Sequence, residues 1–149
     1  MQLSTRARYA TRAMIELTLF YGKGPLQLKE IAKKQGISDK YLEQVLTFLR
    51  KEGFILTQKG NRGGYLLAKP PGEITLYDVI RSVEGSLAPV ACVDNTAVCE
   101  KTDGCVTRDV WSRLKQKIVE ELSGTTLDDL AREQEKKDAQ DNNTSSYQI

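Results

Sequence analysis

The chain has 149 residues, 40 % hydrophobic and 28 % charged, with a formal net charge of +2 and no histidine. That length fits one globular domain, or a small domain with an appended helix. No apolar run is long enough to cross a bilayer, and the basic residues of MQLSTRARYATRAM precede no secretory core or cleavage site.

The absence of histidine, of a paired catalytic motif and of a nucleotide loop argues against an enzyme. A cytoplasmic location is the expectation. There the three cysteines stay reduced and read as metal ligands or redox sensors before disulfides. Charge is split: residues 1–70 carry 13 Lys/Arg against 5 Asp/Glu, and residues 71–149 carry 9 against 15. A basic half joined to an acidic half suggests that only the first meets a polyanion, although two differently solvated surfaces would look the same.

From about Ser4 to Tyr21, Ala10, Ala13, Met14, Leu17 and Phe20 recur at helical spacing. Ser4 is placed to cap this helix, and Gly22, Gly24 and Pro25 end it. Arg6 and Arg8 stand where the helix dipole disfavours cations, a placement that a phosphate backbone would relieve and that an ordinary surface also tolerates. A second helix is predicted over Leu28 to Gln35. Gly36 then allows a tight turn, and Ser38 caps a third helix to about Glu52 with Leu42, Val45, Leu46 and Leu49 inward.

The stretch IAKKQGISDKYLEQV has the helix-turn-helix pattern. Ala32 permits close packing, a glycine takes the turn, and Ile37, Leu42 and Val45 fill the shared core. Lys40, Tyr41, Glu43, Gln44 and Thr47 face outward. Gln44 suits bidentate contact with adenine, and Glu43 suits a cytosine amine. A carboxylate facing a polyanion costs affinity, so Glu43 reads as a specificity device. A solvated helix face is the plain alternative.

FILTQ and GGYLLA are β-prone runs separated by KGNR, with Gly60, Gly63 and Gly64 for the turn. A hairpin directly after a recognition helix is a wing. Its tip carries Lys59, Asn61 and Arg62, which suit a minor groove. GNRGGY lacks the spacing and the Lys-Ser/Thr of a phosphate-binding loop.

Pro70, Pro71 and Gly72 close the wing, and a Thr75/Asp78 capping box opens the short helix TLYDVIRSVEG with Leu76, Val79, Ile80 and Val83 inward. From about Ser86 to Gly104 there is no periodicity, and this region holds Cys92 and Cys99, with Cys105 just beyond. Six residues separate the first pair and five the second. Thiolates suit iron–sulfur clusters and zinc, but neither spacing is diagnostic, and redox thiols or incidental cysteines remain open.

A long helix from about Val106 to Leu122 carries the stripe Val106, Val110, Leu114, Ile118 and Leu122, widened by Trp111 and Val119. It packs either on a second copy or on its own winged helix. Gly124 stops it, and Thr126 with Asp129 caps a further turn, TLDDLA. Beyond about Arg132 the polar, aperiodic sequence is expected to be disordered.

The expected fold is mainly α with a small β-hairpin, a winged helix-turn-helix with a long C-terminal dimerisation helix. Its parts are a DNA-binding region (1–72), a connecting helix and cysteine loop (73–105), the dimerisation helix and following turn (106–132) and a tail (133–149). A homodimer on double-stranded DNA predicts a palindromic operator with half-sites about one helical turn, or a multiple, apart.

RARYATRAM, SDKYLEQVLTFLRKEG, GNRGGYLLAKP and the three cysteines together closely resemble the Rrf2 family of bacterial transcription regulators, over about residues 1–130. The likeness is strongest to its iron–sulfur-cluster-binding members. The resemblance implies a winged-helix homodimer and an iron–sulfur cluster, 2Fe–2S first among the types, held by Cys92, Cys99 and Cys105. It also implies that Tyr41, Glu43, Gln44 and Lys59 lie at the DNA. Ser38, Lys40, Asn61, Arg62, Gly63, Arg6 and Arg8 complete the expected contact set.

The cluster-binding pattern has a histidine three residues after the last cysteine. Here Arg108 stands there, and a guanidinium is no iron ligand. Other relatives use a carboxylate near the start of the first helix, where this chain has Arg8. The fourth position is open to Asp94, Glu100, Asp103, Asp109, Glu43 or a small thiol. The implied function is a cluster-sensing repressor of iron–sulfur cluster assembly genes. The alternatives are a redox- or nitric-oxide-responsive regulator, or a cluster-free regulator controlled by a partner enzyme or metabolite.

Overall fold

A computed structural model describes residues 1–146. Helix α1 spans Thr5–Leu19, and the Ser4 hydroxyl accepts the Ala7 amide at 3.0 Å to cap it. Ala7, Ala10 and Ala13 are fully buried on one face, and their small side chains let α1 sit close to its neighbours. Helix α2 (Leu28–Gln35) ends at Gly36 in the left-handed region, φ 63°. Helix α3 (Asp39–Lys51) follows at once, capped by Ser38. Ile31, Leu42, Val45, Leu46 and Leu49 interlock with Met14 and Leu17 to form the centre of the core.

Strands β1 (Ile55–Gln58) and β2 (Gly64–Leu67) pair antiparallel, with Ile55 opposite Leu67. The structure adds a contact that the sequence reading missed. Leu26, between α1 and α2, bridges to Tyr65 through two backbone hydrogen bonds of 2.9 and 2.8 Å. Gly64 makes this approach possible, because a Cβ there would stand 2.4 Å from the Leu26 carbonyl oxygen. The wing is therefore stitched to the helix-turn-helix at its base.

After a 3-10 turn at Pro71–Glu73, α4 (Leu76–Glu84) begins with the expected reciprocal cap between Thr75 and Asp78. The chain then leaves the core. Two 3-10 turns, Ala91–Val93 and Thr96–Val98, lie in the cysteine loop, and α5 (Val106–Ser123) follows without a single fully buried residue. The chain returns at Leu127, which is wholly buried among the core side chains. There Leu76 donates to the Thr125 carbonyl at 2.8 Å, and Leu127 donates to that of Ile74 at 2.9 Å.

The last helix corrects the expected tail. Instead of ending after TLDDLA, α6 runs Leu127–Ser146, so residues 133–146 are helical, while 147–149 lie outside the described residues. The Thr126/Asp129 cap starts it as expected. The helix-forming Ala, Glu, Gln and Lys of its polar part concentrate before residue 141. The Arg132–Asp128 pair at 2.8 Å and the Gln134 amide donating to Asp138 at 2.9 Å add i,i+4 support. This part of the helix is largely exposed and carries no apolar stripe.

Candidate nucleic-acid interface and cysteine loop

On α3, Lys40, Glu43, Gln44, Thr47 and Lys51 fall three or four residues apart and so share one face. Together with Arg6 and Phe48 they line an open groove of about 490 Å³. The Arg6 guanidinium stands 5.8 Å from the Phe48 ring centroid, which ties the start of α1 to the recognition helix. Arg8 is also exposed, but it lies roughly 200° round the helix from Arg6. The two arginines therefore serve different sides of α1. Phe48 and Lys51 were not in the expected contact set. Continuing the i+3/i+4 series from Lys40 and Gln44 would have found them.

Tyr41 is half-buried and meets Tyr9 edge-on at 5.7 Å, so much of its surface goes to packing α3 on α1. The Ser38 hydroxyl accepts the Tyr41 amide at 3.3 Å while staying exposed at the positive end of α3. At the wing tip Lys59, Asn61 and Arg62 are exposed. Gly63 is a turn residue. Its amide donates to the Gly60 carbonyl at 3.0 Å, and a Cβ there would collide with the Gln58 carbonyl oxygen. Glu43 is an acidic group within this basic surface. Burial raises the Tyr65 phenol pKa, the Glu43 charge raises it further, and Arg50 opposes both. The carboxylate on α3 is thus felt electrostatically at the wing residue Tyr65.

The cysteine loop is fastened to α5 at several points. The Cys92 carbonyl accepts Arg108 Nε at 2.9 Å. Asp94 accepts Lys115 Nζ at 2.6 Å and also the Ser86 hydroxyl, and these bonds, Lys115 first, hold its carboxyl below the usual carboxylate range. Cys105 occupies the N-cap of α5. Its sulfur lies 3.3 Å from the Thr107 hydroxyl, which, ahead of the Arg108 amide, lowers the thiol pKa. Cys99 is exposed on the far part of the loop, and all three thiols are free.

Three accessible soft donors on one short segment suit an iron–sulfur cluster or zinc by chemistry. By geometry they are not assembled: among the described residues no three Cys, Asp or Glu side chains are gathered closely enough to hold a metal ion. Arg108 binds a backbone carbonyl instead of offering a ligand. Asp94 is already engaged, and Glu43 lines the α3 groove. Glu100, Asp103 and Asp109 are exposed.

The stripe on α5 is largely uncovered. Val106, Val110 and Trp111 are 76 %, 44 % and 37 % exposed, and Leu114, Ile118, Val119 and Leu122 are half-buried. Among the described residues no helix is long and apolar enough to cross a membrane.

Comparison with protein families matches residues 3–133 to Rrf2, described as an iron-dependent transcriptional regulator. The chain belongs to the Rrf2 family. Protein rrf2 of Nitratidesulfovibrio vulgaris is 38 % identical over 133 residues, covering 89 % of each chain. CymR of Bacillus subtilis is 38 % identical over 131 residues. The solved structure of CymR, the global cysteine regulator of B. subtilis, superposes with a TM-score of 0.79 over 89 % of this chain and 97 % of that one. The structure of T. potens IscR, 39 % identical, gives 0.75 over 89 % and 88 %. The winged-helix fold expected from the sequence is therefore that of the Rrf2 family, and this Rrf2 chain is a DNA-binding transcriptional regulator. IscR and CymR stand at the same distance from it, so likeness alone does not choose between their signals.

Proposed function

We propose that this Rrf2 regulator is a cytoplasmic homodimer that senses iron–sulfur cluster supply and represses cluster-assembly genes from a palindromic operator. One observation carries the reading: three free, accessible thiols on a loop whose ends, Cys92 and Cys105, are both held at the first turn of α5. Cys92, Cys99 and Cys105 would hold the cluster, 2Fe–2S first among the types. When bound, it would supply an iron–sulfide bridge sensitive to iron supply and to oxidants. The fourth position would fall to Glu100, Asp103, Asp109 or a small thiol.

The chain's own residues do the rest. Arg108 and Lys115 couple the loop to α5, so drawing Cys99 toward the other two thiols reshapes the α5 base. The α5 stripe would pack on its copy and set the spacing of the two α3 helices. Lys40, Gln44, Thr47 and Lys51 with Arg6 would meet the major groove, and Lys59, Asn61 and Arg62 the minor groove. A differential affinity of a few kcal/mol between loop states suffices to switch operator occupancy.

The test is anaerobic purification with iron and sulfide analysis and visible spectra, followed by operator titration against Cys92→Ala. Colourless protein that takes up neither iron nor sulfide, or a variant with unchanged affinity and site choice, overturns the sensor reading. The second reading, a cluster-free regulator under a partner enzyme or metabolite, draws on the unassembled thiols and on the equal likeness to CymR. It gains if colourless protein still binds its operator tightly.

A further inference from the structure

A second cavity, of about 450 Å³, lies where α6 packs beside α1 and the end of α2. Its lining mixes polar and apolar groups and carries both charges, with Arg12 and Lys34 on one side of the balance and Glu16 and Asp138 on the other. Glu16 is only 7 % exposed. Its Oε1 accepts the Gln35 amide at 2.5 Å. Its Oε2 is buried with no hydrogen-bond partner among the described residues; the nearest cation is the Lys34 ammonium at 3.5 Å, on a side chain that is 62 % exposed. A carboxylate oxygen withdrawn from water, with one long ion pair and no hydrogen bond, is under-satisfied. A donor entering the cavity would relieve that deficit.

Arg12 donates to the Gln35 side chain at 2.6 Å and to its carbonyl at 3.2 Å. A guanidinium has more donors than these two bonds use. Ile15 and Leu19 supply an apolar wall. The volume falls in the range of small-molecule sites.

We propose that this cavity is an effector site for a small zwitterion of the α-amino-acid class. Its ammonium group donates to Glu16 Oε2, its carboxylate faces Arg12 and Lys34, and its side chain lies on Ile15 and Leu19. The site has a physical link to the reading face. The Arg12 guanidinium sits 5.7 Å from the Tyr9 ring, and Tyr9 meets Tyr41 of the recognition helix at 5.7 Å. A carboxylate that draws on Arg12 loosens its hold on Gln35 and Tyr9, and so changes the seating of α3 on α1. The cavity is lined by none of the cysteines, so the inference stands or falls apart from cluster sensing.

The experiment is isothermal titration of the full chain with each common α-amino acid in turn, with butylamine and butyrate as half-ligands, followed by operator titration with and without the best binder. At least one α-amino acid is expected to bind once per chain and raise the melting temperature, and each half-ligand to bind about tenfold more weakly or worse. Glu16→Gln keeps the shape and removes the charge, and should weaken binding by about tenfold or more. Lys34→Ala, at a side chain that is 62 % exposed and, among the described residues, pairs only with Glu16, should weaken it by a smaller factor and covers the case in which Glu16→Gln fails to fold. Absence of binding by every amino acid at millimolar concentration overturns the site, as does binding unchanged in the folded variants. Binding that leaves operator affinity unchanged overturns its role as an effector site.

Discussion

The winged helix and the arm from Gly85 to Ser123 use similar apolar side chains to opposite ends. Met14, Ile31, Leu42, Leu46, Leu49 and Ile55 disappear completely into one core. Val106, Val110 and Trp111, on a longer helix that also carries an apolar stripe, stay exposed. Helical periodicity therefore locates a face that must be covered, and says nothing about whether the covering group belongs to the same chain. An apolar face of this length on a charged protein suits an interaction surface, which is what the proposed homodimer asks of it.

Substitutions can sharpen that contrast. Leu46→Ala, in the core, should cost about 2–5 kcal/mol of unfolding free energy, read from urea melts. Val110→Glu, on the arm, should leave the far-UV circular dichroism of the chain intact and move its sedimentation coefficient from dimer to monomer. If Val110→Glu unfolds the chain as Leu46→Ala does, the two regions are not different in kind. Thr75→Ala removes half of a reciprocal helix cap and should cost about 1 kcal/mol. The smallest expected change is Lys59→Ala at the wing tip. It should weaken binding to all DNA sequences alike and lower the slope of log affinity against log salt by roughly 0.9. Glu43→Ala should instead flatten sequence preference; gel-shift titrations identical to the parent for both would show that the reading face lies elsewhere.

Much of the winged helix could be read from the sequence because each element announces itself locally. Ser4, Ser38 and Thr75 sit before periodic runs, and each caps its helix as expected. Contacts between distant segments were not legible. Leu26 pairs with Tyr65 as a single residue after Gly24 and Pro25, too short for any alternation to show. Thr75 and Thr126 bridge across the whole arm, with no local pattern to signal it. The helix over 133–146 is not legible from polarity, which disorder shares; i,i+4 pairs support an exposed helix there. In the candidate site, the grouping of Lys40, Gln44 and Thr47 was legible from spacing. The opposed directions of Arg6 and Arg8 were legible too, but only on a helical wheel. The tethering of Cys92 by Arg108 was not, because irregular backbone has no period to extrapolate.

The backbone bonds that join Leu76 to Thr125 and Ile74 to Leu127 close the arm into a loop whose two feet stand side by side in the core. A protease cutting between Asn95 and Gly104 would sever the covalent chain without freeing either piece, since each half keeps its own foothold. Nicked protein would run as one particle on a sizing column and as two bands in detergent. The same closure means that lengthening the tip by a few residues would add only a small entropic cost, which leaves this segment free to vary in length while the frame beneath it stays fixed.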